Sequence, residues 1–186
     1  MKNILVCVVL LVAVSKLCFA QDSESPSAAP EWFIQEIATL TAGSGRWIAD
    51  NSDYKSEQEP FEAYGTEWIA SFDGTTISGR LFGIKDGKET VNFWEFRQYW
   101  HPGRGEAVIE QFGWGGTVGV GVAWRDGEET RSDQTFFTPG GNVSRTGHVS
   151  RFSDGDMHIT ESFDIEDDVW RPRRTYTWHR AMAVEK

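Results

Sequence analysis

The chain has 186 residues, the length of a single domain, with 28 acidic and 18 basic side chains and a net charge of −10. An acidic surface of that kind repels phosphate backbones and anionic lipid, so neither nucleic-acid binding nor membrane insertion is expected. Nine tryptophans and twelve phenylalanines favour strands and apolar cavities.

Residues 1–20 combine Lys2, an apolar run from Ile4 to Val14 and the small Ala20 after Cys18-Phe19, the pattern of a secretory signal peptide cleaved after Ala20. The expected address is therefore the periplasm or the exterior of a bacterium. Cys7 and Cys18 would leave with that segment, so neither disulfides nor cysteine metal sites are expected in residues 21–186. Loss of Lys2 and Lys16 would take the charge to −12.

Residues 21–30 (QDSESPSAAP) are small and polar and read as a disordered leader to a single domain over 31–186. Glu31 to Leu40 carries Phe33, Ile37 and Leu40 at helical spacing after Pro30, which predicts one short amphipathic helix. Ala42-Gly43-Ser44-Gly45 ends it. A first strand follows over Gly45 to Asn51, then a polar crossing to Pro60.

From Phe61 onward the chain alternates strands and turns. Asp73-Gly74, Asp86-Gly87, Asp126-Gly127 and Asp154-Gly155 are hairpin signals, and Pro102-Gly103, Gly115-Gly116 and Pro139-Gly140-Gly141 mark further turns. Ten strands in meander order result. Such a sheet, apolar on one face and charged on the other, is expected to close into an all-β, antiparallel up-and-down barrel, because closure removes both edges.

Counting from the turns places Trp68, Ala70, Phe72, Ile77, Leu81, Trp94, Phe96, Gln98, Trp100, Ile109 and Gln111 on the inner face. Two-residue counting through Gly115-Gly116 adds Val118, Val120, Val122 and Trp124. The reverse face sets Glu67 against Arg80, Arg97 against Glu110 and Glu106 against Arg125. One register stays open: a two-residue loop at Asp126-Gly127 turns Arg131 and Asp133 inward, whereas a three-residue loop with a glycine bulge turns Gln134 and Phe136 inward. The bulge is preferred, since it keeps apolar side chains together.

The last three strands carry the candidate polar site. A two-residue turn at Asp154-Gly155 faces His148 with Glu161, and one at Asp167-Asp168 faces Glu161 with Arg174. That face also holds Met157, Ile159, Phe163, Ile165, Tyr176 and Trp178, so it reads as the inner one, with His158 and His179 turned outward. Three readings stand for His148, Glu161 and Arg174: a buried ion network, a site that orients a carboxylate or carbonyl ligand, and acid/base catalysis by His148. Two ligands of this kind are too few for a catalytic zinc, and no metal or other cofactor is expected.

The glycine-rich run Gly113 to Gly121 is followed by a valine-alternating strand, whereas a phosphate loop opens a helix; here glycines serve sheet curvature and facing tryptophans. Asn142-Val143-Ser144 matches a glycosylation sequon, relevant only in a eukaryotic host.

Gly45-Arg46-Trp47, after a short helix and opening the first strand, resembles the Gly-x-Trp signature of the lipocalins and their calycin relatives. Arg180, ending the last strand, matches the arginine that packs over that tryptophan in those families. The likeness runs from Trp32 to Arg180 and is nearest to secreted bacterial lipocalin-like domains, with the strand number of fatty-acid-binding proteins. It implies a barrel holding a small amphipathic or aromatic molecule. The chain lacks the two-helix lid of the fatty-acid binders and the glycine-rich opening of haem-binding nitrobindin-like barrels, so neither ligand carries over. The expected lining comprises Trp68, Trp94, Phe96, Gln98, Trp100, Gln111, Trp124, Tyr176 and Trp178, with His148, Glu161 and Arg174 at the polar end. The alternatives are a cofactor-free cyclase, isomerase or lyase using that cluster, and a structural or interaction protein whose barrel is filled by its own side chains.

Overall fold

The computed structural model describes residues 28–153 and 156–181. The expected signal peptide, most of the leader and the Asp154-Gly155 tip lie outside the described residues. Helix α1 (Glu31–Thr41) begins after Pro30 and buries Phe33, Ile37 and Leu40, one stripe of its surface. Ala29, assigned to the leader in the sequence, packs against the same core.

Ten strands follow: β1 (Arg46–Asp50), β2 (Ala63–Ser71), β3 (Thr76–Lys85), β4 (Lys88–His101), β5 (Glu106–Gly113), β6 (Thr117–Asp126), β7 (Glu129–Phe137), β8 (Val143–Ser153), β9 (Met157–Glu166) and β10 (Val169–Arg180). Each pairs antiparallel with its sequence neighbours, and β1 pairs with β10, so the sheet is the expected closed barrel. Helix α1 closes one end, where Phe33, Ile37 and Leu40 pack with Ile77, Ala107, Ile109 and Ala123. The crossing between β1 and β2 lies at the opposite end.

The loops decide which side chains face inward. Asp86-Gly87 and Asp167-Asp168 are two-residue turns with all four residues at positive φ, the type I′ geometry that suits twisted strands. Between β2 and β5 the inner face is as the turns predict, except that Phe72 sits in the β2–β3 loop and is 79% exposed. The outer pairs Glu67 with Arg80 and Arg97 with Glu110 form at 2.6 Å and 3.8 Å, whereas Glu106 pairs with Arg104.

Two loops are one residue longer than two-residue counting gives. Gly113 pairs with Thr117, leaving Trp114-Gly115-Gly116 as the loop, and Ser153 pairs with Met157. A one-residue change moves every following side chain to the other face. Val118, Val120, Val122 and Trp124 therefore face out, while Gly119, Gly121 and Ala123 face in. The β6–β7 loop has two residues, with Asp126 opposite Glu129, so no bulge is needed to bring Gln134 and Phe136 inward. The early shift at Gly115-Gly116 has already done it.

The extra residue between Ser153 and Met157 turns Ile159, Glu161 and Phe163 outward and His158, Thr160 and Ser162 inward. In β10 a bulge at Arg173 shifts the register by one residue again, so Arg174, Tyr176 and Trp178 face the lumen as expected. On the outside, Phe163 and Trp170 cover the wall at Gly147, and Trp124 meets Trp170 edge to face at 6.5 Å.

Candidate ligand cavity

The lumen encloses a cavity of about 660 Å³. It stays open because its largest rings lie along the wall. Trp68 is the cross-strand partner of Gly79, Trp94 of Gly113, and Phe136 of Gly119, and each ring lies where a Cβ on that glycine would be. Trp68 also stacks on Phe96, with ring centres 5.2 Å apart and planes 22° from parallel. Rings held flat add contact area without crossing the lumen.

The two walls differ chemically. Strands β2 to β5 contribute Trp68, Leu81, Trp94, Phe96, Gln98, Ile109 and Gln111. Facing them, β7 to β9 present Phe136 and otherwise Thr130, Ser132, Gln134, Ser144, Thr146, His148, Ser150, Thr160 and Ser162. Each series follows the period of two that a strand imposes. That alternation is visible in the sequence as hydroxyls at every second position, but the apolar residues between them draw the inner face to the wrong side.

The structure separates the three candidate polar residues. Glu161 lies outside, accepting a 2.9 Å hydrogen bond from Arg151 Nη1. Arg174 pairs instead with Glu59 from the β1–β2 crossing, in a two-pronged contact of 2.6 and 2.7 Å. Tyr64 donates to the same carboxylate at 2.6 Å, and Tyr176 donates to Asn51 Oδ1 at 2.8 Å. These contacts tie the crossing to the barrel. The guanidinium of Arg174, through its hydrogen bonds, holds the Glu59 carboxyl below the usual carboxylate range. Sequence alone offers no signal for this pair, since the partners are 115 positions apart.

His148 does face the lumen, between Ser132 and Ser162 on the adjoining strands. Burial, reinforced by the charge of Arg173, pushes its pKa down to about 4. It is thus neutral near pH 7, and no carboxylate raises its basicity. His158, expected outside, also faces in. It stacks on Phe152 at 4.5 Å, and burial pushes its pKa down to about 4 as well. Both imidazoles keep some accessible area on the cavity they line, while their burial in the barrel wall remains the main cause of the shift.

At the closed end Glu36 of α1 reaches the lumen and accepts a hydrogen bond from Thr130 Oγ1. Burial raises its pKa, with Thr130 and then Arg125 acting the other way. The sequence reading missed this carboxyl, because a helix face that buries Phe33 and Ile37 gives no hint that its neighbour enters a barrel.

Of the remaining expected lining, Trp68, Trp94, Phe96, Gln98, Gln111, Tyr176 and Trp178 border the cavity. Trp178 Nε1 donates to Thr160 at 2.8 Å, and Trp68 Nε1 to Thr66 at 3.2 Å. Trp100 instead packs against Phe33 at the closed end, ring centres 6.2 Å apart, and Trp124 is on the outside. Among the described residues no group of three His, Cys, Asp or Glu side chains could hold a metal ion.

The remaining calycin markers meet at that same end. Gly45 has a φ of 67°, and a Cβ there would collide with the Trp68 carbonyl. Trp47 is fully buried and donates from Nε1 to the Leu40 carbonyl at 2.9 Å, below the guanidinium of Arg180. The barrel is compatible with a calycin-like fold. No protein-family model matches the chain, and no curated protein matches it.

Proposed function

We propose that this protein binds a small amphipathic or aromatic molecule inside its barrel, as a secreted or periplasmic lipocalin-like carrier. One observation carries the reading: rings laid flat on glycines leave a lumen of about 660 Å³ with an aromatic wall facing a hydroxyl wall. A barrel filled by its own side chains would have no such space, and a cavity of this size fits a small organic ligand. The acid/base alternative loses the cluster on which it rested, because Glu161 is outside and His148 is a weak base.

Native mass spectrometry of protein purified from its own source tests the proposal directly. A homogeneous bound small molecule is the expected result. Apolar aromatic probes should also quench the fluorescence of Trp68 and Trp94, and absence of quenching with every probe would count against a ligand in the lumen. Recovery of the chain in the extracellular or periplasmic fraction, lacking residues 1–20, tests the address.

A further inference from the structure

The chemistry of the lumen narrows the ligand beyond the general reading above, on which this step rests. We infer that the occupant is an uncharged, flat aromatic molecule carrying a carbonyl or hydroxyl oxygen that accepts a hydrogen bond from Gln134. Three observations support it.

First, among the described residues each arginine that borders the cavity already has an acidic partner. Arg174 is held by Glu59, Arg173 lies 3.4 Å from Asp164, and Arg131 pairs with Asp126 and Glu129 on the outer side. The two inward histidines are neutral near pH 7, and the one carboxyl at the floor, Glu36, is itself disfavoured as an anion. A carboxylate or phosphate entering this space would leave water without finding a counter-charge.

Second, Gln134 is 2% exposed and lines the cavity, yet its Nε2 has no hydrogen-bond partner among the described residues. A buried donor left unpaired is unfavourable, so the amide is suited to an acceptor from the ligand. His158 Nε2 is likewise buried and unpartnered. Gln98 shares Gln134's cross-strand row, through Ile109 and Gly121, and adds a second amide to the lining. Amides recognise carbonyls and hydroxyls without requiring charge.

Third, the opposite wall is aromatic. Trp68, Phe96 and Trp94 lie along it, so a planar ring finds face contact there while its polar edge meets β7.

The test uses the full chain and three matched probes, 2-naphthamide, 2-naphthoate and naphthalene, by calorimetry and tryptophan quenching at pH 7. The amide should bind at least about tenfold more tightly than the carboxylate, and naphthoate should gain affinity as the pH falls and it becomes neutral. In Gln134→Leu, naphthamide should fall to the affinity of naphthalene, while naphthalene is unchanged. Naphthoate binding as tightly as naphthamide would overturn the inference and leave the binding reading standing, whereas failure of all three probes would overturn both. An unchanged amide preference in Gln134→Leu would remove Gln134 as the donor. Should that variant not fold, the comparison of amide with carboxylate on the native chain still decides the charge.

Discussion

Arg180 lies across Trp47, its guanidinium carbon 4.2 Å from the ring centre, and the two are direct partners where β10 closes onto β1. The same guanidinium donates to the carbonyls of Thr39 and Ala42 at 3.2 and 2.8 Å. Helix α1 has no basic residue in its last turn, so a residue 138 positions away from Ala42 supplies the cation its C-terminus lacks. Barrel closure and helix docking thus share one side chain.

Trp47→Ala should lower stability by about 3 to 5 kcal/mol, as for a large buried aromatic. Arg180→Ala should cost more than the roughly 0.5 kcal/mol of a surface change, because it removes a cation over an aromatic face and the donors to α1. Denaturant unfolding of both singles and the double should give a non-additive cycle, since the residues touch. Additive losses would mean that the contact contributes nothing of its own.

The buried histidines predict acid sensitivity with a definite sign. His148 and His158 have pKa values pushed down to about 4 from an ordinary 6.5, so the fold favours their neutral forms. The stabilisation is complete above pH 6.5 and is lost as pH falls from there through about 4, on the order of 3 kcal/mol per residue at most. Replacing either with asparagine should flatten the fall in unfolding free energy between pH 6.5 and 4. An unchanged pH profile in both variants would place the imidazoles in contact with bulk water.

Glu36 predicts the opposite slope. Burial raises its pKa above 4.5, so the fold prefers the protonated acid, and its stabilisation weakens as pH rises through the raised value. Glu36→Gln keeps a neutral group beside Thr130. It should therefore be more stable than the native protein at pH 8, with the difference shrinking toward pH 4. A loss of stability at pH 8 would show that the ionised carboxylate, with Arg125 near it, is the favoured form.

Much of the barrel was legible because turn chemistry and strand period are local. The Asp-Gly turns, the helical spacing of Phe33, Ile37 and Leu40, and the positions of Trp47 and Arg180 all lead to the observed closure. The polar site was not legible, for two physical reasons. A Gly-Gly loop accommodates two or three residues equally well in sequence, and the extra residue at Trp114-Gly115-Gly116 reverses β6. The rule that apolar residues point inward then fails on β9, where Ile159 and Phe163 cover the outside and Thr160 and Ser162 line the cavity. A barrel with an internal cavity carries polar side chains on both faces, so hydrophobicity alone does not identify the inner one.

The glycines under the aromatic wall give the last prediction, which links sequence to cavity volume. Gly113 is opposite Trp94, and a Cβ added to it would sit 2.5 Å from Cζ3 of the indole, far inside van der Waals contact. Trp94 cannot retreat through the sheet, so its ring must tilt toward the lumen. Gly113→Ala should therefore lower stability by about 1 to 3 kcal/mol, the usual consequence of overpacking. It should also weaken aromatic probes more than proportionately, because the tilted ring occupies the space they need. The check is a paired measurement of unfolding free energy and probe affinity, set against Gly74→Ala, a loop glycine with nothing within 4 Å of an added Cβ. Gly74→Ala carries its own backbone strain at a φ of 78°, so it should lose stability while binding probes normally. Equal probe affinity in the two variants would show that the indole at Trp94 does not border the occupied part of the cavity.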